Sequence, residues 1–144
     1  MHGHARSAAV AVLVAALLAG CGSAVTPPDG VAVDSPDAYA VEETHVWTSG
    51  STTEYKSQVV VSGTLRSTDD ATGNISLPEI TVRFTLTGGE TQTVGAIYEL
   101  DRRQTAFADL DNATLAPDEG IPVRAVFDPA DGATVRDATI RVAA

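Results

Sequence analysis

Apolar and polar residues alternate along much of the chain, and this pattern predicts strands. The clearest segment is Glu79 to Leu86. Its two alternating sets are Ile80, Val82, Phe84 and Leu86 against Glu79, Thr81, Arg83 and Thr85. Because successive side chains of a strand point to opposite faces, the first set is predicted to be buried and the second solvated. Thr87 to Glu90 supplies a glycine turn, and Thr91 to Leu100 is predicted to return as the hairpin partner.

Further segments rich in Val, Thr and Ile are bounded by turn residues and predict additional strands. They are Val41 to Thr48, Glu54 to Arg66, Ala106 to Leu110, Ile121 to Phe127 and Ala133 to Val142. Gly63 lies inside the second of them and indicates a bulge or a close approach between elements. No segment has the period of an amphipathic helix.

About seven strands in roughly 100 residues are typical of an antiparallel, immunoglobulin-like β-sandwich. The sequence therefore predicts an all-β domain over residues 41–144. The chain has a single cysteine, so this core would lack the disulfide of antibody domains. The large side chains expected in the core are Trp47, Phe84, Tyr98, Phe107 and Phe127.

The start of the chain has a different character. Arg6 makes it basic, and Ala8 to Gly20 is an unbroken run of apolar and small residues. As a helix this run would be about 20 Å long, which is short of the roughly 30 Å hydrocarbon core of a bilayer. These features are typical of a secretory signal peptide, which we expect at residues 1–20.

The end of this segment, Leu18-Ala19-Gly20-Cys21, resembles the lipobox of bacterial and archaeal lipoproteins. The resemblance implies that the Cys21 sulfur receives a diacylglyceryl group and that the chain is cut before Cys21. The protein would then be held to the bilayer by its acyl chains, at the extracytoplasmic face of the cell membrane. The alternative is an ordinary signal peptide with a chance cysteine near its cleavage site.

Residues 21–40 join this anchor to the predicted domain. They include Pro27, Pro28 and Pro36, which remove backbone donors and restrict the residues before them. We expect a flexible tether here. The alternative is that Val31 and Val33 form a first edge strand.

The order of elements from Val59 to Val142 resembles the FxLYD domain, a small extracytoplasmic sandwich domain common in prokaryotic lipoproteins. The residues that carry the resemblance are Phe84-Thr85-Leu86, the glycine turn after them, and Leu115 to Glu119. Thr87-Gly88 stand where the family has Tyr-Asp, and Asp118 stands where it has glycine. The resemblance implies a sandwich fold and carries no activity.

The chain is strongly acidic, with 19 acidic and 9 basic side chains and a formal net charge of -10. Such a chain is a poor partner for nucleic acid, which requires clustered Lys and Arg. Removal of residues 1–20 takes away Arg6 and no acidic residue, so the exported part would be more acidic still. An acidic surface almost without lysine is typical of salt-loving archaea, because concentrated salt screens its self-repulsion. A high-GC bacterium is the alternative source.

The sequence contains few candidate catalytic or metal-binding residues. His45 is the only histidine beyond the predicted signal peptide, and neither a nucleophile elbow nor a cofactor-binding motif is present. The acidic pairs Asp69-Asp70, Asp109/Asp111 and Asp128/Asp131 could offer oxygens to calcium, but none fits an EF-hand and turns explain all three. We therefore predict no enzyme, no cofactor and no metal site.

Two sequons, which begin at Asn74 and Asn112, lie in predicted loops and are candidate glycosylation sites. Together the features predict a lipid-anchored sandwich that acts as a non-catalytic binding or structural module, with an envelope protein or a surface polymer as partner. The alternative is a solute- or ion-binding accessory lipoprotein of a transporter or sensor. A binding module should expose an apolar or aromatic patch on a sheet, whereas an enzyme should show converging polar groups around His45.

Overall fold

The computed structural model describes residues 25–50, 57–68 and 72–143. These residues form eleven strands and one short 3-10 turn, Phe107–Asp109. The strands are β1 (Ala32–Asp34), β2 (Tyr39–Ser49), β3 (Gln58–Ser67), β4 (Ile75–Ser76), β5 (Glu79–Leu86), β6 (Thr91–Gly95), β7 (Ile97–Leu100), β8 (Arg103–Ala106), β9 (Thr114–Leu115), β10 (Gly120–Phe127) and β11 (Val135–Ala143). The predicted signal peptide and Cys21 lie outside the described residues.

The strands form an all-β sandwich, as the alternation predicted. One sheet has four strands in the order β1-β11-β5-β6, and the other has five in the order β2-β3-β10-β7-β8. The short strands β4 and β9 pair with each other. All pairs are antiparallel except β1 with β11, which run parallel.

A single hydrophobic core lies between the two sheets. Phe84 of the four-stranded sheet stacks on Phe127 of the five-stranded sheet, with ring centroids 4.7 Å apart. The bounds predicted for β5 are confirmed, and its inward residues Ile80, Val82 and Phe84 are buried. The core positions predicted for Phe84, Tyr98 and Phe127 are also confirmed.

Two of the predicted core residues are at the surface. Trp47 is 41% exposed and Phe107 is 39% exposed, so both predictions were wrong. Phe107 lies in the 3-10 turn that follows β8. The strand predicted for Ala106 to Leu110 was therefore wrong as well, because β8 ends where that strand was expected to begin.

The hairpin partner of β5 is shorter than predicted. β6 pairs with β5 across the predicted glycine turn, but β7 pairs with β10 in the opposite sheet. The chain changes sheets at Ala96, whose N–H donates to the Ile80 carbonyl at 2.8 Å. The next turn, at Asp101 and Arg102, has positive φ at both residues, as a two-residue hairpin loop requires.

The described part of the predicted tether lies on the sandwich. Val25 is 6% exposed and belongs to the core cluster. Thr26 donates to the Ala133 carbonyl and accepts from the Val135 N–H, at 3.0 and 2.9 Å. The edge strand considered around Val31 and Val33 is present as β1. The segment 25–40 therefore lies on the sandwich and does not behave as the flexible tether that was predicted. Its prolines favour an extended backbone, and an extended backbone also fits the edge of a sheet.

Candidate functional site: a groove on the five-stranded sheet

A bulge in β2 determines which side chains reach the outer face of the five-stranded sheet. Glu42 is opposite Thr64, and His45 is opposite Ser62. Two residues of β2, Glu43 and Thr44, therefore oppose a single residue of β3, as in a β-bulge. Glu43 has a φ of 54°, in the left-handed region that side chains other than glycine seldom adopt.

The single residue opposite the bulge is Gly63. A Cβ atom at this position would lie 2.6 Å from Cγ1 of Val41, closer than real carbon contacts allow. Glycine thus lets Val41 enter the core beside the bulge. The bulge or close approach predicted at Gly63 is confirmed, and both are present.

The extra residue reverses the direction of every side chain that follows it in β2. In an uninterrupted strand Trp47 would share the inward face of Val41, because the two are separated by an even number of residues. With the bulge, Trp47 is opposite Val60, and both face outward. This shift is the physical reason why the core position predicted for Trp47 was wrong.

The outer face of the sheet forms an open groove with a volume of about 580 Å³. One row of outward residues crosses it, in which His45 is opposite Ser62, Ser62 is opposite Arg124, and Arg124 is opposite Ile97. Neighbouring strands are about 4.8 Å apart, so this row is about 14 Å long. The other polar side chains of the lining are Glu43, Thr64, Glu99, Arg102 and Gln104.

Trp47 is the largest apolar side chain that lines the groove, together with Ile97, Pro122 and Val123. Its cross-strand partner is Val60, which is opposite Val126 on the next strand. Val60 is only 5% exposed although it lies outside the core cluster. The row Trp47-Val60-Val126 is therefore an apolar patch in which the indole, at 41% exposure, is the most accessible large group.

The charges of the groove differ from those of the whole chain. Its lining contains two carboxylates, Glu43 and Glu99, and two guanidinium groups, Arg102 and Arg124. The opposite charges balance here, although the chain as a whole has a formal net charge of -10. The groove is thus a polar, nearly neutral region on an acidic protein.

The strand β7 beneath the groove is held by a buried tyrosine. The Tyr98 side chain points inward, is fully buried, and donates its hydroxyl proton to the Pro78 carbonyl. Burial raises the pKa of this hydroxyl above its usual value, and neighbouring Tyr39 adds to the effect. The bond ties the five-stranded sheet to the segment that precedes β5.

The groove contains no hydrogen-bonded Ser-His pair within the described residues. Ser62 is opposite His45, but no hydrogen bond or ion pair among residues 25–50, 57–68 and 72–143 orients the imidazole. A catalytic triad needs such bonds on both sides of its histidine. The same residues contain no group of three or more side chains that could hold a metal ion.

The remaining predicted site residues are dispersed. Asn74 and Asn112 are exposed in loops, and Asn112 has a φ of 52°. Asp128 accepts a hydrogen bond from Gln58 at 2.7 Å. Cys21 and the pair Asp69-Asp70 lie outside the described residues.

Comparisons of the chain with protein-family models, curated proteins and solved structures found no match. In the described part of the chain, no helix has the length and apolarity to span a bilayer. The groove itself was missed by the sequence analysis. Its one sequence signal is Gly63, because the bulge opposite this glycine turns Trp47 outward.

Proposed function

We propose that this protein is a lipid-anchored, extracytoplasmic binding module whose binding surface is the groove of the five-stranded sheet. The observation that carries the proposal is the outward position of Trp47. Exposed aromatic side chains surrounded by polar groups are characteristic of binding sites. The partner is a component of the cell envelope, and the module is non-catalytic.

The anchoring half of the proposal rests on the lipobox-like residues Leu18 to Cys21. The likeness to the FxLYD domain supports the same location, since those domains are common in prokaryotic lipoproteins. Two acyl chains on Cys21 would give a lasting anchor, whereas a single chain gives a marginal one.

The position of Val25 limits how far the domain stands from the membrane. Residue 21 precedes Val25 by four positions, and a fully extended chain advances about 3.5 Å per residue. The core-packed Val25 therefore lies within about 14 Å of the lipidated residue. We infer that the sandwich sits close to the lipid headgroups, with the turn between β10 and β11 nearest to them, because Thr26 pairs with Thr134 there.

A solute-binding accessory lipoprotein is the second candidate. The volume of the groove falls within the range of about 300 to 1,000 Å³ that small-molecule sites have. The groove is open along the sheet, however, and suits an extended ligand better than an enclosed solute.

The anchor is tested by Cys21→Ser in cells of the source organism. We expect the wild-type protein in the membrane fraction and the variant in the soluble extracytoplasmic fraction. A variant that had lost residues 1–20, as mass spectrometry would show, and still remained with the membrane would contradict the anchor.

The binding surface is tested by cosedimentation of the unlipidated Cys21→Ser protein with isolated envelopes. Adding Trp47→Ala should abolish most of the binding. The matched control is Phe107→Ala, because Phe107 is equally exposed and lies outside the groove. Equal losses from the two substitutions would contradict the assignment of the groove.

A further inference from the structure

We infer that the groove binds an extended, uncharged saccharide chain, with one sugar ring stacked on Trp47. This inference deepens the proposed function, because it rests on the groove being the binding surface. It assigns a chemical class of ligand from the arrangement of the indole, the polar row and the charges.

The apolar patch around Trp47 suits the face of a sugar ring. A pyranose ring has a face of C–H groups and an edge of hydroxyls, so it needs a flat apolar surface bordered by polar groups. Trp47 provides such a surface, with Val60 beside it on the next strand and Val126 one strand further along the same row. Burial of an indole contributes strongly to binding at little cost in conformational entropy.

The groove also supplies hydrogen-bonding side chains. The row next to Trp47 carries His45, Ser62 and Arg124 on successive strands, and Glu99 pairs with Gln104 on the far strands. These side chains include donors and acceptors at intervals of about 4.8 Å. Regular spacing of this kind matches a chain of hydroxyl-bearing units better than it matches a single small solute.

The floor of the groove cannot accept a peptide by strand addition. Peptides that add to a sheet as an extra strand gain affinity from main-chain hydrogen bonds along an unpaired strand edge. The floor of the groove is formed by β3, β10 and β7, which pair with strands on both sides. Their backbone groups are used within the sheet, so the floor offers side chains only.

The balanced charges of the groove favour an uncharged ligand over a polyanion. A polyanion such as an acidic polysaccharide or a nucleic acid requires an excess of cations. The two arginines of the lining are matched by Glu43 and Glu99. Repulsion from these carboxylates opposes an anionic chain, and an uncharged saccharide avoids this cost.

The test uses the emission of Trp47, which is the only tryptophan of the chain and so reports directly on the groove. The unlipidated Cys21→Ser protein is titrated with neutral oligomers of glucose, mannose and N-acetylglucosamine, with oligogalacturonate, and with an unstructured peptide. We expect a saturable emission change with at least one neutral oligomer. Arg124→Ala and Gln104→Ala should each weaken it roughly tenfold, equivalent to about 1.4 kcal/mol, whereas Phe107→Ala should have no effect.

Preferential binding of oligogalacturonate or of the peptide would overturn the inference, and so would the absence of binding by every saccharide. A second measurement separates this result from the proposed function. Periodate cleaves the vicinal diols of 1,4-linked glucose or mannose chains, and glycosidases cleave 1,4-linked N-acetylglucosamine chains, which have no internal vicinal diol; envelopes given both treatments should no longer bind the protein. Undiminished binding to envelopes given both treatments would refute the saccharide and leave the binding module intact, whereas no binding to untreated envelopes would refute the binding module itself.

Discussion

Gly63 lies opposite the bulge after which Trp47 points outward. A side chain there meets Val41 at 2.6 Å, and Val41 is a β-branched core residue with little rotamer freedom. The requirement is steric, because Gly63 is not among the glycines with positive φ. Its role therefore differs from that of a turn glycine such as Gly89, whose φ is 89°.

Substitution of this residue gives a direct stability prediction. Gly63→Ala should lower the free energy of unfolding by about 1 to 3 kcal/mol, as overpacking of a core does. The control is Gly95→Ala in β6, where a Cβ would meet nothing within 4 Å and stability should change by less than about 1 kcal/mol. Urea denaturation measures both variants.

A smaller side chain at position 41 tests whether the predicted loss of stability in Gly63→Ala comes from a collision with Val41. In a Val41→Ala background, Gly63→Ala should cost clearly less than it does in the wild type, because the colliding methyl group is absent. Strictly additive losses would show that the Gly63→Ala effect does not come from contact with Val41.

The buried hydroxyl of Tyr98 should make the free energy of unfolding depend on pH in the alkaline range. Burial raises the pKa of its hydroxyl in the folded state, so the unfolded chain loses the proton first, near its usual pKa of about 10. The stability contribution is complete below that pH and is lost as the pH rises above it. Tyr98→Phe should be less stable at pH 7 by about 1 to 3 kcal/mol, because the Pro78 carbonyl loses its donor.

The measurement compares thermal unfolding of the two proteins between pH 8 and 11. Above pH 10 the wild type should lose stability faster than Tyr98→Phe, since the phenylalanine cannot ionise. Parallel curves would contradict the role given to the buried hydroxyl.

At the scale of elements, predictions held where a strand is regular and failed where it is interrupted. β5 alternates without a break, so its inward residues Ile80, Val82 and Phe84 were identified from the sequence. β2 contains an extra residue, and Trp47, which was expected in the core because of its size, lies on the outer face. The crossing at Ala96 was missed for a related reason, since the pattern of buried residues continues from β6 into β7 while the hydrogen-bonding partner changes.

The loops and the candidate site were less predictable for specific physical reasons. The turn at Asp101 and Arg102 lacks the Asn-Gly or Asp-Gly signal of its turn type. The groove is formed by strands distant in sequence, so only its Gly63 signal could be seen in one segment. Val25 was assigned to a tether because the hydrogen bonds that hold this segment, from Thr26 to Ala133 and Val135, join residues more than 100 positions apart in the sequence.

The bulge itself can be tested. Glu43 occupies a left-handed conformation that costs an ordinary side chain about 1 kcal/mol or more, so Glu43→Gly should raise the free energy of unfolding by up to about 1 kcal/mol. Thr44→Gly, at the other bulge residue, lacks a positive φ and should lower it by about 0.5 to 1 kcal/mol. Equal destabilisation of both variants in urea denaturation would contradict the strain assigned to Glu43.

At the scale of the whole molecule, the anchor and the fold together predict an orientation on the membrane. The strand β10 runs from Gly120 to Phe127 and is roughly 24 Å long, with Asp118 before one end and Asp131 after the other. In the proposed lipid-anchored form, the attachment of Thr26 beside Thr134 would place Asp131 at the membrane-proximal end.

Energy transfer to acceptor-labelled lipids measures this orientation. A fluorophore on Asp131→Cys of the lipidated protein should transfer energy more efficiently than one on Asp118→Cys. Equal efficiencies would indicate a domain that tumbles freely on a long tether, in conflict with the packing of Val25.

Site-specific photo-crosslinking on intact cells shows whether the groove binds a saccharide of the cell envelope. The crosslinker is placed at Gln104 in the groove or at Thr93, which is exposed on β6 of the opposite sheet. We expect an adduct from Gln104 that is lost after treatment of the cells with periodate and glycosidases, persists after protease treatment of the cells before crosslinking, and disappears in Trp47→Ala, and we expect no such adduct from Thr93. The same adduct from both positions, or none from Gln104, would contradict saccharide binding in the groove.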